Sequence, residues 1–96
     1  MTETEALARA CRERSLYALC QGNGVRAWLR SLGGPWPVPD AALWVLPGYD
    51  PNDGGRSWTW EQGQRRGRHP RDDIQGTAAA VAGFLQAGWA EAQRSG

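Results

Sequence analysis

The side chains that could carry out chemistry are concentrated in the segment that runs from Arg65 to Asp73. His69 closely precedes Asp72 and Asp73, and a histidine beside a carboxylate can act as a general acid or base. No motif places a serine or cysteine near this histidine, and histidines in loops are mostly inert. We therefore expect no catalytic residue, and we predict that the protein is not an enzyme.

The same segment contains the only cluster of charge in the chain, which is formed by Arg65, Arg66, Arg68, His69 and Arg71. Such a cluster can bind the phosphates of a nucleic acid, with the N-terminus of a following helix adding donors. Asp72 and Asp73 come directly after it and would repel an anion from that terminus. Nucleic-acid binding is therefore the alternative function, with these five residues as its site.

Metal and cofactor sites are not expected. His69 is the only histidine, and Cys11 and Cys20 are the only cysteines, so a set of metal ligands is not available. The glycine pairs lack the strand, lysine and helix that flank a phosphate-binding loop. Both cysteines are expected to be free thiols, because the acidic start of the chain does not resemble an export signal.

Tryptophans are the second group of informative residues, and four of the six are predicted to lie on one sheet. Trp58 and Trp60 alternate with polar residues and therefore share one face of a strand, which is typical of a half-buried core strand. Trp28 lies between Arg26 and Arg30 on the same face of another strand. Two cations cannot be buried there without partners, and this composition is typical of a binding interface.

An alternative explanation is that the stems of the two arginines cover the Trp28 indole from solvent. Both explanations remain open at this point. The predicted partner-binding residues are Arg26, Trp28, Arg30, Trp58 and Trp60.

The first half of the chain predicts a helix followed by a hairpin. Thr2 or Thr4 can cap a helix that ends near Arg14. Alternation favours a strand over Ser15–Cys20, and Asn23-Gly24 is a strong signal for a tight turn with positive φ angles. A second strand is then predicted over Val25–Leu32, although its apolar residues also have helical spacing.

The remaining segments have clear boundaries. Three prolines make 33–40 an extended crossover. A last helix is predicted to begin at Asp72, which can cap it, with Gln75 three residues later. The apolar stripe of this helix consists of Ile74, Ala78, Val81, Leu85, Trp89 and Ala92. Between them we predict a third strand over Ala42–Leu46 that ends at Pro47-Gly48, a polar loop over Tyr49–Gly55, a fourth strand over Ser57–Gln62 and a basic loop over Gly63–Arg71.

These elements predict one α+β domain over residues 1–96, in which an antiparallel four-stranded sheet carries both helices on one face. No run of residues approaches the length of a membrane span, so a cytoplasmic protein without membrane contact is expected. The formal net charge of +1 gives no general attraction to nucleic acid.

The chain resembles a group of small actinobacterial proteins. The resemblance rests on the hairpin, on Trp58-Thr59-Trp60, on Pro70-Arg71-Asp72-Asp73 and on the alanine-rich segment 77–82. It covers roughly residues 7 to 86, and the Arg65–Arg68 insert departs from it. Such proteins are similar to the small companions of helix-turn-helix developmental regulators, and the group supplies no catalytic residue.

The sequence and this resemblance together predict a non-enzymatic protein–protein interaction module. An open sheet face that bears tryptophan tends to be covered by a second molecule. We expect either a homodimer or an accessory regulator bound to a transcriptional regulator.

Overall fold

The structure, a computed structural model, describes residues 2–30, 42–50 and 55–95. Two helices and five strands follow one another along the chain, and the strands form one antiparallel sheet in the order β1-β2-β3-β4-β5. The α+β class is confirmed, whereas the predicted number of four strands is wrong. The elements are α1 (Glu3–Glu13), β1 (Leu16–Gln21), β2 (Gly24–Leu29), β3 (Leu43–Asp50), β4 (Gly55–Gln62), β5 (Arg65–Pro70) and α2 (Ile74–Ser95).

Helix α1 begins and ends as its sequence predicts. The Thr2 hydroxyl accepts a hydrogen bond of 3.1 Å from the backbone N–H of Glu5, which satisfies one of the free donors of the first turn. Leu7, Ala10 and Cys11 are buried on one stripe. The helix ends at Glu13, and Ser15 takes a φ of 66° that turns the chain directly into β1.

Strands β1 and β2 form the predicted hairpin, which excludes the helical interpretation of the second segment. The last cross-strand pair is Gln21 with Gly24, so the two-residue turn is Gly22-Asn23 and not Asn23-Gly24. Gly22 has the positive φ of the turn, at 60°, and Gly24 lies within β2. The hairpin is confirmed, but the expected positive φ at Gly24 is wrong.

Strand β3 continues through Pro47-Gly48, where the sequence predicted its end. It pairs with β2 over Leu43–Val45 and with β4 from Leu46 to Asp50. A proline is tolerated where its missing N–H faces no partner strand. Because the pairing with β2 has ended before Pro47, the proline does not interrupt that ladder.

The segment predicted as a basic loop over Gly63–Arg71 contains a strand, β5, at the edge of the sheet. A tight turn with a φ of 63° at Gly63 reverses the chain after β4. Exposed and partly buried residues alternate along β5, as expected for a strand with one covered face. The polar composition of β5 led to the prediction of a loop. Charged residues and proline are nevertheless common on edge strands, because they hinder pairing with other chains.

Helix α2 is capped by Asp73 and not by Asp72. The Asp73 carboxylate accepts a hydrogen bond of 3.0 Å from the backbone N–H of Gly76. Ala78, Val81 and Leu85 are buried and Ile74 packs against the core, in agreement with the predicted stripe. Trp89 lies outside the core with 42% of its surface exposed, so its assignment to the stripe is wrong.

The register gives the sheet two distinct faces. The core face belongs to one buried cluster with residues of both helices, and its side chains include Leu16, Ala18, Val25, Ala27, Leu43, Val45, Trp58 and Trp60. The outer face carries the alternate residues of the same strands, namely Tyr17, Leu19, Arg26, Trp28, Trp44, Leu46, Ser57, Thr59, Glu61, Arg66 and Arg68.

Two predicted connections fall outside the described residues. They are the crossover over 33–40 and the tip of the β3–β4 connection at 51–54. Among the described helices, none is both long enough and apolar enough to cross a membrane.

Candidate functional site

The tryptophans predicted to contact a partner are buried within the chain itself. Trp58 and Trp60 lie on the core face with 1% and 5% of their surfaces exposed, which confirms their interpretation as core residues. Trp28 lies on the outer face as predicted, but it too is only 1% exposed. The expectation that these three indoles form an accessible binding surface is therefore wrong.

Arg26 and Arg30 interact with aromatic rings of the outer face. The guanidinium of Arg26 lies 4.9 Å from the ring centre of Trp44, and that of Arg30 lies 5.5 Å from the ring centre of Tyr17. The Tyr17 ring in turn lies 5.7 Å from that of Trp28. The two arginines thus lie over Trp44 and Tyr17, and the explanation that their stems cover the Trp28 indole itself stays a prediction.

The basic cluster is divided between the two faces of β5 and is largely engaged in contacts within the chain. Arg65 stacks on Phe84 at 4.0 Å and donates a hydrogen bond to its carbonyl oxygen. Arg71 pairs with Glu3 at 3.1 Å, and His69 pairs with Asp73 at 2.8 Å. The predicted nucleic-acid site is therefore not a continuous cationic surface.

His69 and Asp73 are close enough for proton transfer, but their geometry is that of a helix cap. The hydrogen bond from His69 and that from the Gly76 N–H hold the pKa of Asp73 below its usual value. Cys11 is buried on the α1 side of the core, and this burial raises the pKa of its thiol to about 12. Cys11 is therefore a poor nucleophile, since the thiolate is the reactive form.

A cleft lies on the outer face, between β3 and the β4–β5 hairpin. The β3–β4 ladder runs from Asp50 paired with Gly55 to Leu46 paired with Thr59, and it ends there. Beyond this point the two strands no longer pair, and the outer-face cleft opens with a volume of about 880 Å³. Its outer-face lining consists of Trp44, Leu46, Thr59, Glu61, Arg66 and Arg68, and two residues of the core face, Trp60 and Gly67, complete it.

The two walls of the outer-face cleft differ in chemistry. Trp44 and Leu46 form an apolar wall on β3, and both are half-buried. Arg66 and Arg68 form a cationic wall on β5. Thr59 lies between the walls, and its hydroxyl donates a hydrogen bond of 3.3 Å to the carbonyl oxygen of Leu46.

Among the described residues, Glu61 is the single acidic one that lines the outer-face cleft. Its carboxylate lies 3.4 Å from the Nε of Arg66, and the two side chains are 68% and 83% exposed. Exposed pairs of this kind contribute little stability because water screens them, with a typical range of about 0–1 kcal/mol. The guanidinium of Arg66 can therefore exchange this carboxylate for another one at little cost.

Sequence reasoning missed Trp44 and Leu46. The run Ala42–Leu46 is almost wholly apolar, so its alternation does not show which residues face outward. The signal lies in the register, because Trp44 pairs with Arg26, whose position on the polar side of β2 was predicted.

The described residues contain no group of three side chains suited to a metal ion. Comparisons with protein families, with curated proteins and with solved structures find no match. The predicted relation to companions of transcriptional regulators therefore stays a prediction.

Proposed function

We propose that this protein is a non-enzymatic interaction module that binds another protein chain through the outer-face cleft. Both helices are taken to cover the core face, in the two-layer arrangement that the sequence predicts. On the outer face Trp28 is already buried, and the cleft is left for a partner. The partner is a second copy of this chain or a regulatory protein such as a transcriptional regulator. In the second case the protein acts as an accessory regulator in the cytoplasm.

The observation that carries this proposal is the wall formed by Trp44 and Leu46. Two large apolar side chains that stay half-buried in the monomer can lose further surface to a partner. Four of the other residues that line the cleft are polar or charged, namely Thr59, Glu61, Arg66 and Arg68. An apolar centre with a polar rim is the usual composition of a protein–protein interface.

The test compares Trp44→Ala with Trp89→Ala, because Trp89 is an exposed tryptophan on α2 that does not line the cleft. Light scattering at increasing concentration measures dimer formation, and affinity capture from the native host identifies a different partner. We expect the association to be lost in Trp44→Ala and kept in Trp89→Ala. An association that both variants keep, or the absence of any association, would contradict the proposal.

Nucleic-acid binding remains the second candidate, and the exposed Arg66, which lines the same cleft as Trp44, is the observation that favours it. Aromatic rings next to arginines can stack on bases. However, neutralisation of several phosphates is what gives such proteins their affinity. Arg65, His69 and Arg71 are already engaged within the chain, so the protein interface is better supported.

A further inference from the structure

We infer that the outer-face cleft binds an extended peptide segment in which acidic and apolar side chains alternate. This inference rests on the proposed function and specifies the chemistry of the partner. It follows from the two walls of the cleft, because an apolar wall on β3 faces a cationic wall on β5 across the floor of β4.

An extended chain is the form of partner that fits two unlike walls. Successive side chains of an extended segment point to opposite sides of its backbone. A chain that lies along the cleft therefore directs one set of side chains toward Trp44 and Leu46 and the alternate set toward Arg66. The first set must be apolar, and the second must be acidic.

The arginine wall supplies the charge complementarity. The contact of Arg66 with Glu61 is made through Nε, and the guanidinium has further N–H donors that can bind both oxygens of a carboxylate. Trp44 is held by Arg26, whose guanidinium lies 4.9 Å from the ring centre. The apolar wall is thus positioned before a partner arrives, which reduces the entropy lost on binding.

A second copy of this chain fits the cleft less well than a foreign acidic segment. In a twofold dimer formed face to face, the same patch of each protomer meets its counterpart. The cleft carries two arginines and one glutamate, so both patches have a net positive charge, and like charges oppose association. Nucleic acid is also disfavoured, because its binding needs several cations and Arg65, His69 and Arg71 are engaged within the chain.

The test measures binding of the full chain to a fluorescently labelled peptide in which glutamate and leucine alternate. The matched peptide has glutamine in place of glutamate, and a single-stranded oligothymidylate represents nucleic acid. We expect the glutamate peptide to bind best and to lose affinity as salt is added. Arg66→Glu should weaken its binding by about tenfold or more, since hydrogen bonds to charged groups are the strong ones.

Arg9→Glu is the control, because Arg9 is an exposed arginine on α1 and does not line the cleft. It should bind the glutamate peptide as the natural chain does. If the glutamine peptide binds equally well and Trp44→Ala weakens both, the acidic preference is wrong and the proposed function still holds. Binding of oligothymidylate alone would overturn both proposals, and binding of no probe would overturn the inference.

Discussion

Gly67 on β5 offers the sharpest test of how the core face is built. It pairs with Trp60 across the β4–β5 ladder, and the indole of Trp60 lies directly over it. A methyl group at Gly67 would overlap the pyrrole side of this indole and would come within 2.7 Å of its Cζ2 atom. Gly67→Ala therefore requires the indole to move.

The expected cost follows from what the indole would lose. Trp60 is 5% exposed and packs edge-on against Phe84 with ring centres 6.3 Å apart. Its N–H has no hydrogen-bond partner among the described residues, so packing alone positions the ring. Overpacking costs about 1–3 kcal/mol, and an aromatic pair contributes about 0.5–1.5 kcal/mol.

Replacing glycine also stiffens the unfolded chain, which offsets about 0.4–1 kcal/mol of this cost. The free energy of unfolding should therefore fall by about 2 kcal/mol. For a domain of this size the Tm should fall by about 8–15 °C, with a change in the near-ultraviolet circular dichroism of the tryptophans.

Gly83→Ala is the matched control, because Gly83 is an exposed glycine of α2 and an added methyl group meets no atom within 4 Å. It should raise the free energy of unfolding by about 0.5–1 kcal/mol, since glycine is a poor helix residue. Thermal and urea denaturation of the two variants measure both changes. A Gly67→Ala variant as stable as the natural chain would refute the placement of Trp60 over Gly67.

Four further outcomes are expected. Leu85→Ala should lower the free energy of unfolding by about 2–5 kcal/mol in urea titrations, because it leaves a cavity in the core. Gly24→Ala should lower the Tm because its methyl group would lie 2.6 Å from a backbone oxygen of β3, and an unchanged Tm would contradict this register. Asp73→Ala should lower the Tm at pH 7. The pKa of Asp73 is depressed in the folded chain, so the ionised carboxylate stabilises the fold at pH values above its usual pKa of 3.8. The difference in Tm between the natural chain and Asp73→Ala should therefore shrink as the pH falls below 3.8. A thiol reagent should modify Cys20 in the native chain and reach Cys11 only after denaturation, because Cys11 is buried and its pKa is about 12.

Local signals predicted the helices and the first hairpin because each is encoded within a few neighbouring residues. The cap at Thr2 and the stripe of Leu7 and Cys11 lie within α1 itself. The end of β3 and the existence of β5 depend instead on pairing. In the sequence Pro47 predicts the end of a strand, and only the register shows that it lies beyond the ladder between β2 and β3. Arg65–Pro70 has the composition of a loop, and only the turn at Gly63 aligns it with β4.

The accessibility of the tryptophans could not be predicted for a related reason. Alternation correctly placed Trp58 and Trp60 on a single face and Trp28 with Arg26 on a single face. It cannot show how much of each indole is covered, because cover comes from residues distant in sequence. Trp28 was expected to be accessible and is buried, whereas Trp44 was predicted to lie on the sheet but not to bind a partner, and it lines the cleft.

Two glycines explain why tryptophans can occupy both faces of this sheet. On the outer face, the absence of a side chain at Gly24 leaves room for Leu46 and for the Trp44 indole nitrogen, which lies 3.2 Å from where a Cβ would be. On the core face, Gly67 leaves the corresponding room for Trp60. A glycine within a strand lowers the stability of that strand, and an aromatic ring that covers the exposed glycine backbone compensates for the loss. The apolar wall of the outer-face cleft therefore depends on Gly24 just as the core depends on Gly67, so a side chain at Gly24 should disturb partner binding together with stability.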